Sequence, residues 1–159
     1  MSVLDNKTIS FIGGGNMAQA LISGLVSCGV KPSLITVADP SSEAREQLAA
    51  KGLNTVDPTA DAKAAVIGAD IVVLAVKPQV MKAVVSGFAD VLDTQLVISV
   101  AAGLSTALLS NMLGGYGNIV RAMPNTPAMI QMGATGLYGT DHISAEQKQL
   151  ATAVMEASG

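Results

Sequence analysis

Lys7-Thr8-Ile9-Ser10-Phe11-Ile12-Gly13-Gly14-Gly15-Asn16-Met17-Ala18-Gln19-Ala20-Leu21-Ile22 is an apolar run of strand length, then a glycine turn, then the start of a helical pattern. The order carries the reading. Gly-x-Gly-x-x-Ala alone is a weak pattern, but between a strand and a helix it is the turn of a dinucleotide-binding βα unit. Each small residue of Gly13-x-Gly15-x-x-Ala18 then has a task. Gly13 allows the tight turn, Gly15 lets the backbone approach a pyrophosphate, and Ala18 lets the helix pack close to the strand. The first amide hydrogens of a helix lack intrahelical acceptors and lie at the positive end of its dipole, so they suit a phosphate. Gly14, Asn16 and Met17 belong to the same expected cofactor-binding turn.

Beyond this unit, apolar runs alternate with helical periodicity. The expected strands are Thr8–Ile12, Leu34–Ala38, a weaker Asn54–Val56, Ile71–Val76, Leu96–Val100, Ile119–Met123 and Ala134–Tyr138. The expected helices are Asn16–Cys28, Ser42–Lys51, Thr59–Ile67, Val80–Leu92 after Pro78, and Ser105–Leu113. Ser144-Ala-Glu-Gln147 has the form of a capping box and opens a last helix to about Ala157. Pro124-Asn125-Thr126-Pro127 must be irregular, because two prolines so close break any ladder. The alternation predicts an α/β fold, Rossmann-type and doubly wound, with a mostly parallel sheet over residues 1–159 as one NAD(P)-binding domain.

Composition agrees with buried parallel strands. Half of the 159 residues are apolar, and only 13% are charged, with two Phe, two Tyr and no Trp. The net charge of −3 and the lack of a basic patch argue against nucleic acid. One Cys (Cys28) and one His (His142) cannot make an internal disulfide or a zinc site of the usual kind, so no metal is expected. No run spans a bilayer and none resembles a secretory signal, so a cytoplasmic protein without membrane contact is expected.

In doubly wound sheets, ligands sit beyond the carboxyl ends of the strands. Four such ends stand out. The first is the glycine turn. The second is Ala38-Asp39-Pro40-Ser41-Ser42, where Asp39 lies 21 residues past Ala18, near the ~20 expected for a ribose-binding acid. A carboxylate there accepts from ribose hydroxyls and favours NADH. Ser41, Ser42 and Arg45 offer a 2′-phosphate site that favours NADPH, and Asp39 also reads as a turn or cap residue before the Ser42 helix. The third end is Ala75-Val76-Lys77-Pro78, with Lys77 either near the cofactor or a solvated loop cation. The fourth is Ser99-Val100-Ala101-Ala102-Gly103, whose small residues let a flat ring lie close. After a fifth strand, Asn125 and Thr126 present an amide and a hydroxyl, either as a substrate or nicotinamide wall or as a rigid connector. Arg121 reads as an ion-pairing or edge residue and His142 as a surface residue.

Taken together, Phe11-Ile-Gly-Gly-Gly-Asn-Met-Ala18, Ala75-Val-Lys-Pro78, Ser99-Val-Ala-Ala-Gly103 and Val120-Arg-Ala-Met-Pro-Asn-Thr-Pro127 resemble the pyrroline-5-carboxylate reductase family over essentially the whole chain. The resemblance implies an oxidoreductase of proline biosynthesis that transfers hydride from NADPH or NADH to a small imine, 1-pyrroline-5-carboxylate, giving L-proline. It implies that Gly13–Ala18 bind pyrophosphate, that Asp39 faces the adenosine ribose, that Ala75–Pro78 contact the cofactor between ribose and nicotinamide, and that Val100, Ala101 and Ala102 flank the nicotinamide, with Asn125 nearby. Some members carry Ser at the Asp39 position and an Asn where this chain reads Thr59-Ala60-Asp61-Ala62. Both departures weaken the implication of NADPH preference and of a side-chain contact to adenine, and leave the dinucleotide untouched. Members continue into a helical domain that dimerises and completes the substrate pocket, so this chain is expected to be the cofactor-binding half, inactive alone, of at least a homodimer. The sequence offers no Cys–His or Ser–His arrangement, and no catalytic acid or base is assigned. Two other readings stay open: the N-terminal domain of a 3-hydroxyacid-type dehydrogenase, and a nucleotide-sensing module without chemistry.

Overall fold

A computed structural model describes residues 3–123, 136–139 and 143–157. Its strands are β1 (Ile9–Ile12), β2 (Ile35–Ala38), β3 (Asn54–Val56), β4 (Ile71–Leu74), β5 (Leu96–Ser99), β6 (Ile119–Met123) and β7 (Gly136–Gly139). Between them lie α1 (Asn16–Ser27), α2 (Ser42–Ala49), α3 (Pro58–Asp61), α4 (Pro78–Val85) and α5 (Thr106–Met112), with α6 (Ala145–Glu156) last. The strands form one sheet in the order β3-β2-β1-β4-β5-β6-β7. All neighbours are parallel except β6 and β7, which run antiparallel with Arg121 opposite Tyr138. Arg121 is therefore on an interior strand, with Ser99 of β5 on its other side, and not at an edge.

Side chains alternate between two cores, as the two-residue period of a strand requires. Ile9, Phe11, Ile71, Val73, Leu96 and Ile98 pack with α1 and α6 on one face. Ile12, Val72, Leu74, Val97 and Ile119 pack with α4 and α5 on the other. Helices on both faces explain why the central strands are apolar throughout. Burying a large apolar side chain stabilises by about 1.5–3 kcal/mol, whereas an exposed ion pair contributes about 0–1. The two cores therefore hold the fold, and surface pairs such as Lys63–Asp90, at 3.1 Å, add little.

Two expected helices are shorter than their periodicity predicts. The run at Thr59–Ile67 is α3 followed by a separate 3₁₀ turn, Ala62–Ala65. Asp61 makes the break: at φ −155° its carboxylate accepts from the amides of Lys63 and Ala64 and restarts the chain as a new cap. The run at Val80–Leu92 begins earlier, with Pro78 in the first turn of α4, and ends at Val85 before a 3₁₀ turn at Ala89–Val91. Gly87 lies in that gap, and a Cβ there would sit 3.0 Å from the Cβ of Ala62. Several strands also stop short of their apolar runs. Thr8 leaves β1 to bond Asp70: its amide donates to Asp70 Oδ2 (2.9 Å) and its hydroxyl accepts from the Asp70 amide (3.0 Å), clamping the starts of β1 and β4 together. The capping box of α6 forms as expected, Ser144 and Gln147 each accepting from the other's amide.

Candidate dinucleotide site

The chain turns from β1 outward to β2 and β3, then returns to β4 on the opposite side of β1. The sheet's order reverses between β1 and β4, and a crevice opens at that point. Both helices that start there, α1 and α4, have no side-chain cap, whereas Ser41, Asp57, Ser105 and Ser144 cap α2, α3, α5 and α6. No acidic residue lies in the first turn of α1. Its leading amides and its dipole therefore face the crevice without a neutralising group of the helix's own.

The three glycines of the turn do different work. Gly13 adopts φ +104°, and a Cβ there would lie 2.9 Å from the carbonyl oxygen of Ala75. Its amide donates to the Ala38 carbonyl (2.8 Å), while the Ala75 amide donates to the Ile12 carbonyl (2.9 Å). The turn is thus sewn to the ends of β2 and β4. Gly14 is buried against α2: a Cβ would meet Asp39 Oδ2 at 3.1 Å and Leu48 Cδ1 at 3.2 Å. Its amide donates to Asp39 Oδ2 (2.9 Å), and its carbonyl accepts from the Gln19 side-chain amide (2.8 Å). At Gly15 a Cβ would meet nothing within 4 Å, in ordinary extended backbone at φ −77°. The protein itself does not require glycine at position 15. The open space in front of it leaves the first amides of α1 accessible, and a helix start of that kind suits an anion. Asn16 is exposed, Met17 half-buried against the α1 core, and Ala18 fully buried beneath the helix.

Asp39 takes its expected turn role and adds a bond that the sequence did not announce. Its Oδ1 accepts from the Ser41 amide (2.8 Å), a turn interaction, while Oδ2 holds Gly14. The Ser41 hydroxyl accepts from the Ala44 amide (3.2 Å) as the cap of α2. Arg45 donates from Nη1 to the Asp39 carbonyl (2.8 Å), and its Nη2 lies 3.7 Å from Asp57 Oδ2.

Asp57 accepts from the Thr59 hydroxyl (2.6 Å) and amide (3.0 Å). These bonds, with smaller help from Arg45, hold its carboxyl below the ordinary value of 3.8. A lowered pKa in the folded state favours folding above the unfolded value, and that contribution is lost as pH falls through the folded value. A carbon-13 titration of the Asp57 carboxyl is expected to show a midpoint below 3.8, and Thr59→Val is expected to move it upward. An unmoved midpoint would remove Thr59 as the cause.

At the end of β4, Ala75 and Val76 are half-buried, and Lys77 and Pro78 are exposed at the start of α4. At the end of β5, Val100 and Ala101 point into opposite cores and are nearly buried, which leaves Ala102 exposed. The Val100 amide donates to the Leu74 carbonyl (3.2 Å), so this segment follows the edge of the crevice. Asn125 and His142 lie outside the described residues. Beside the glycine turn is an apolar cleft of about 260 Å³ between Pro40, Thr59, Ala62, Val76 and Val84. Pro40 and Val76 lie in strand ends singled out in the sequence, and Thr59 and Ala62 in the stretch where some members of the resembling family carry Asn, but Val84 was not singled out, and segments so separate meet only after folding. Among the described residues, no group of three or more His, Cys, Asp or Glu side chains could hold a metal. No described helix is long and apolar enough to cross a membrane.

Residues 8–103, which run from before β1 to just past β5, match the family described as NADP oxidoreductase, coenzyme F420-dependent. The chain belongs to this family. It is 44% identical over 155 residues to a pyrroline-5-carboxylate reductase of Pasteurella multocida, covering 96% of this chain and 56% of the relative. It is 44% identical over 158 residues to the enzyme of that name from Pseudomonas aeruginosa, covering 98% and 57%. The solved structure of a pyrroline-5-carboxylate reductase from Coxiella burnetii superposes with a TM-score of 0.85 at 38% identity, over 96% of this chain and 57% of that one. The resemblance read from the sequence is thus met by its relatives, and the Rossmann-type sheet by a solved fold. The chain spans a little over half the length of these relatives.

Proposed function

We propose that the chain is the NAD(P)H-binding domain of a pyrroline-5-carboxylate reductase, serving the reduction of 1-pyrroline-5-carboxylate to L-proline. The observation that carries the cofactor reading is the cradle at Gly15, an uncapped helix start facing open space at the reversal of strand order. Identity of 44% to two reductases of that name supports the reaction. When bound, a reduced nicotinamide supplies the hydride that reduces a carbon–nitrogen double bond.

The chain's own contribution is binding and orientation. The amides of Gly15 to Ala18 hold the diphosphate, Asp39 meets the adenosine ribose, and the cleft at Pro40 and Thr59 takes a flat apolar ring. Ala75 to Pro78 guide the cofactor along the edge of β4 toward Ala102, and the resemblance alone adds Asn125 as a nicotinamide contact. Fixing one reactant rigidly converts part of the barrier into binding already made. No side chain of this half is assigned the proton that the ring nitrogen gains. A small imine as substrate, at least a homodimer as the assembly, and a cytoplasmic location complete the proposal.

The test joins this chain to the C-terminal part of the Pasteurella multocida relative. The chimaera is expected to oxidise NAD(P)H with pyrroline-carboxylate and to form proline, while the chain alone binds cofactor with under about 1% of that turnover. A chimaera that binds cofactor but forms no proline, or that oxidises 3-hydroxyacids instead, would refute the assignment.

A further inference from the structure

A peptide unit between two glycines can turn over at little cost. The flip rotates only ψ of the first residue and φ of the second, and glycine tolerates either sign of both. Gly13-Gly14-Gly15 contains two such units in succession, and a different side chain grips each. Asp39 holds the first, its Oδ2 accepting from the Gly14 amide at 2.9 Å. Gln19 holds the second, its side-chain amide donating to the Gly14 carbonyl at 2.8 Å. Gln19 is half-buried in the first turn of α1, and its own main-chain amide donates to the Gly15 carbonyl at 2.9 Å. In a planar trans peptide the N–H and C=O point opposite ways. A Gly14 carbonyl drawn toward Gln19 therefore turns the amide hydrogen of exposed Gly15 away from Gln19. A flipped unit would present an acceptor in place of that donor, and a carbonyl oxygen offers nothing to a phosphate oxygen.

We propose that Gln19 is a positioning residue for the diphosphate, whose bond to the Gly14 carbonyl keeps the Gly15 amide aimed at the ligand. The proposal rests on the dinucleotide reading and deepens it, because position 19 lies outside the Gly-x-Gly-x-x-Ala pattern and acts through the main chain. Gly14 is buried, so removing the Gln19 donor leaves its carbonyl short of a partner, and a flip toward water restores one. The Asp39 bond does not prevent this, since it holds the N–H of the preceding unit. The apparent affinity of a ligand then falls with the fraction of molecules that keep the competent orientation.

The test is calorimetric titration of the unaltered chain, Gln19→Met and Gln19→Asn with NADH, beside proton–nitrogen NMR of the Gly15 amide in the unliganded proteins. Met resembles Gln in length and helix propensity but donates no hydrogen bond. Asn keeps the amide on a stem one methylene shorter, out of reach of the carbonyl. Both variants are expected to bind NADH at least about fivefold more weakly and to show the Gly15 resonance doubled or broadened by exchange. Circular dichroism reports that each is folded, and either folded variant alone decides. Binding as tight as that of the unaltered chain would overturn the proposal and leave the dinucleotide reading standing. So would weaker binding with a single sharp Gly15 resonance, which would give Gln19 a structural role only. Failure of the unaltered chain to bind NADH would overturn the dinucleotide reading and the proposal with it.

Discussion

Replacing Gly13 with Ala is expected to destabilise the fold by about 3–5 kcal/mol, the sum of a strained backbone and an overpacked contact. For a chain of this size, that lowers the melting temperature by about 6–20 °C. Gly13 sits at φ +104°, where L-residues are strained, and its Cβ would stand 2.9 Å from the Ala75 carbonyl oxygen and 3.1 Å from its carbon. The obstacle is main chain and cannot rotate away. Moving it would break the Ala75–Ile12 hydrogen bond of 2.9 Å, and moving the turn would break the Gly13–Ala38 bond of 2.8 Å. Gly29 separates the two effects. It has nearly the same backbone angle, φ +103°, with nothing within 4 Å of its Cβ. Gly29→Ala should therefore carry the strain alone, about 1–2 kcal/mol. Urea unfolding of both variants checks the difference. Equal losses would mean that the turn does not press on β4.

The glycine turn was legible in the sequence because its signal is local. A strand period, a turn and a helix period follow one another within sixteen residues, and no distant contact is needed to read them. The apolar runs of β1, β2, β4, β5 and β6 were legible for the same reason, and so was the cap at Ser144. What escaped was set by contacts between distant residues. Gly14 reads as part of the cofactor-binding turn with no task of its own, and its need for glycine comes from Leu48 and Asp39 closing over it. The cleft draws on segments after β1, β2, β3 and β4 together with α4, and no periodicity announces their meeting. The long helix expected at Thr59–Ile67 failed because Asp61, polar and ordinary in a helix surface, captured two amides and ended it. The sequence left Asp39 either as a ribose-binding acid or as a turn or cap residue, and the fold engages its carboxylate in the turn through Ser41 and, unannounced by the sequence, on Gly14. Val100 and Ala101 read as small residues able to flank a ring, yet their side chains fill opposite cores, so main chain and Ala102 are what that strand end presents.

Gly15→Val is expected to invert the outcome at Gly13, leaving stability nearly intact while abolishing cofactor binding. The backbone at Gly15 is extended, with φ −77° and ψ −167°, which any residue adopts. A Cβ there meets no protein atom within 4 Å, so the cost to folding is about 1 kcal/mol or less, that of a poor residue at a helix N-cap. The same open space is where a diphosphate would contact the first amides of α1. Two methyl groups in it would hold the phosphates beyond hydrogen-bond distance of the donors and remove several charge-assisted bonds at once. Such bonds contribute about 1.5–3 kcal/mol each, so losing two weakens binding by at least about a hundredfold. Calorimetric titration with NADH beside thermal unfolding of the same variant reads both quantities. A variant that melts normally and still binds NADH as the unaltered chain does would show that the diphosphate lies elsewhere. One that unfolds readily would show that the space before Gly15 is filled by the protein itself.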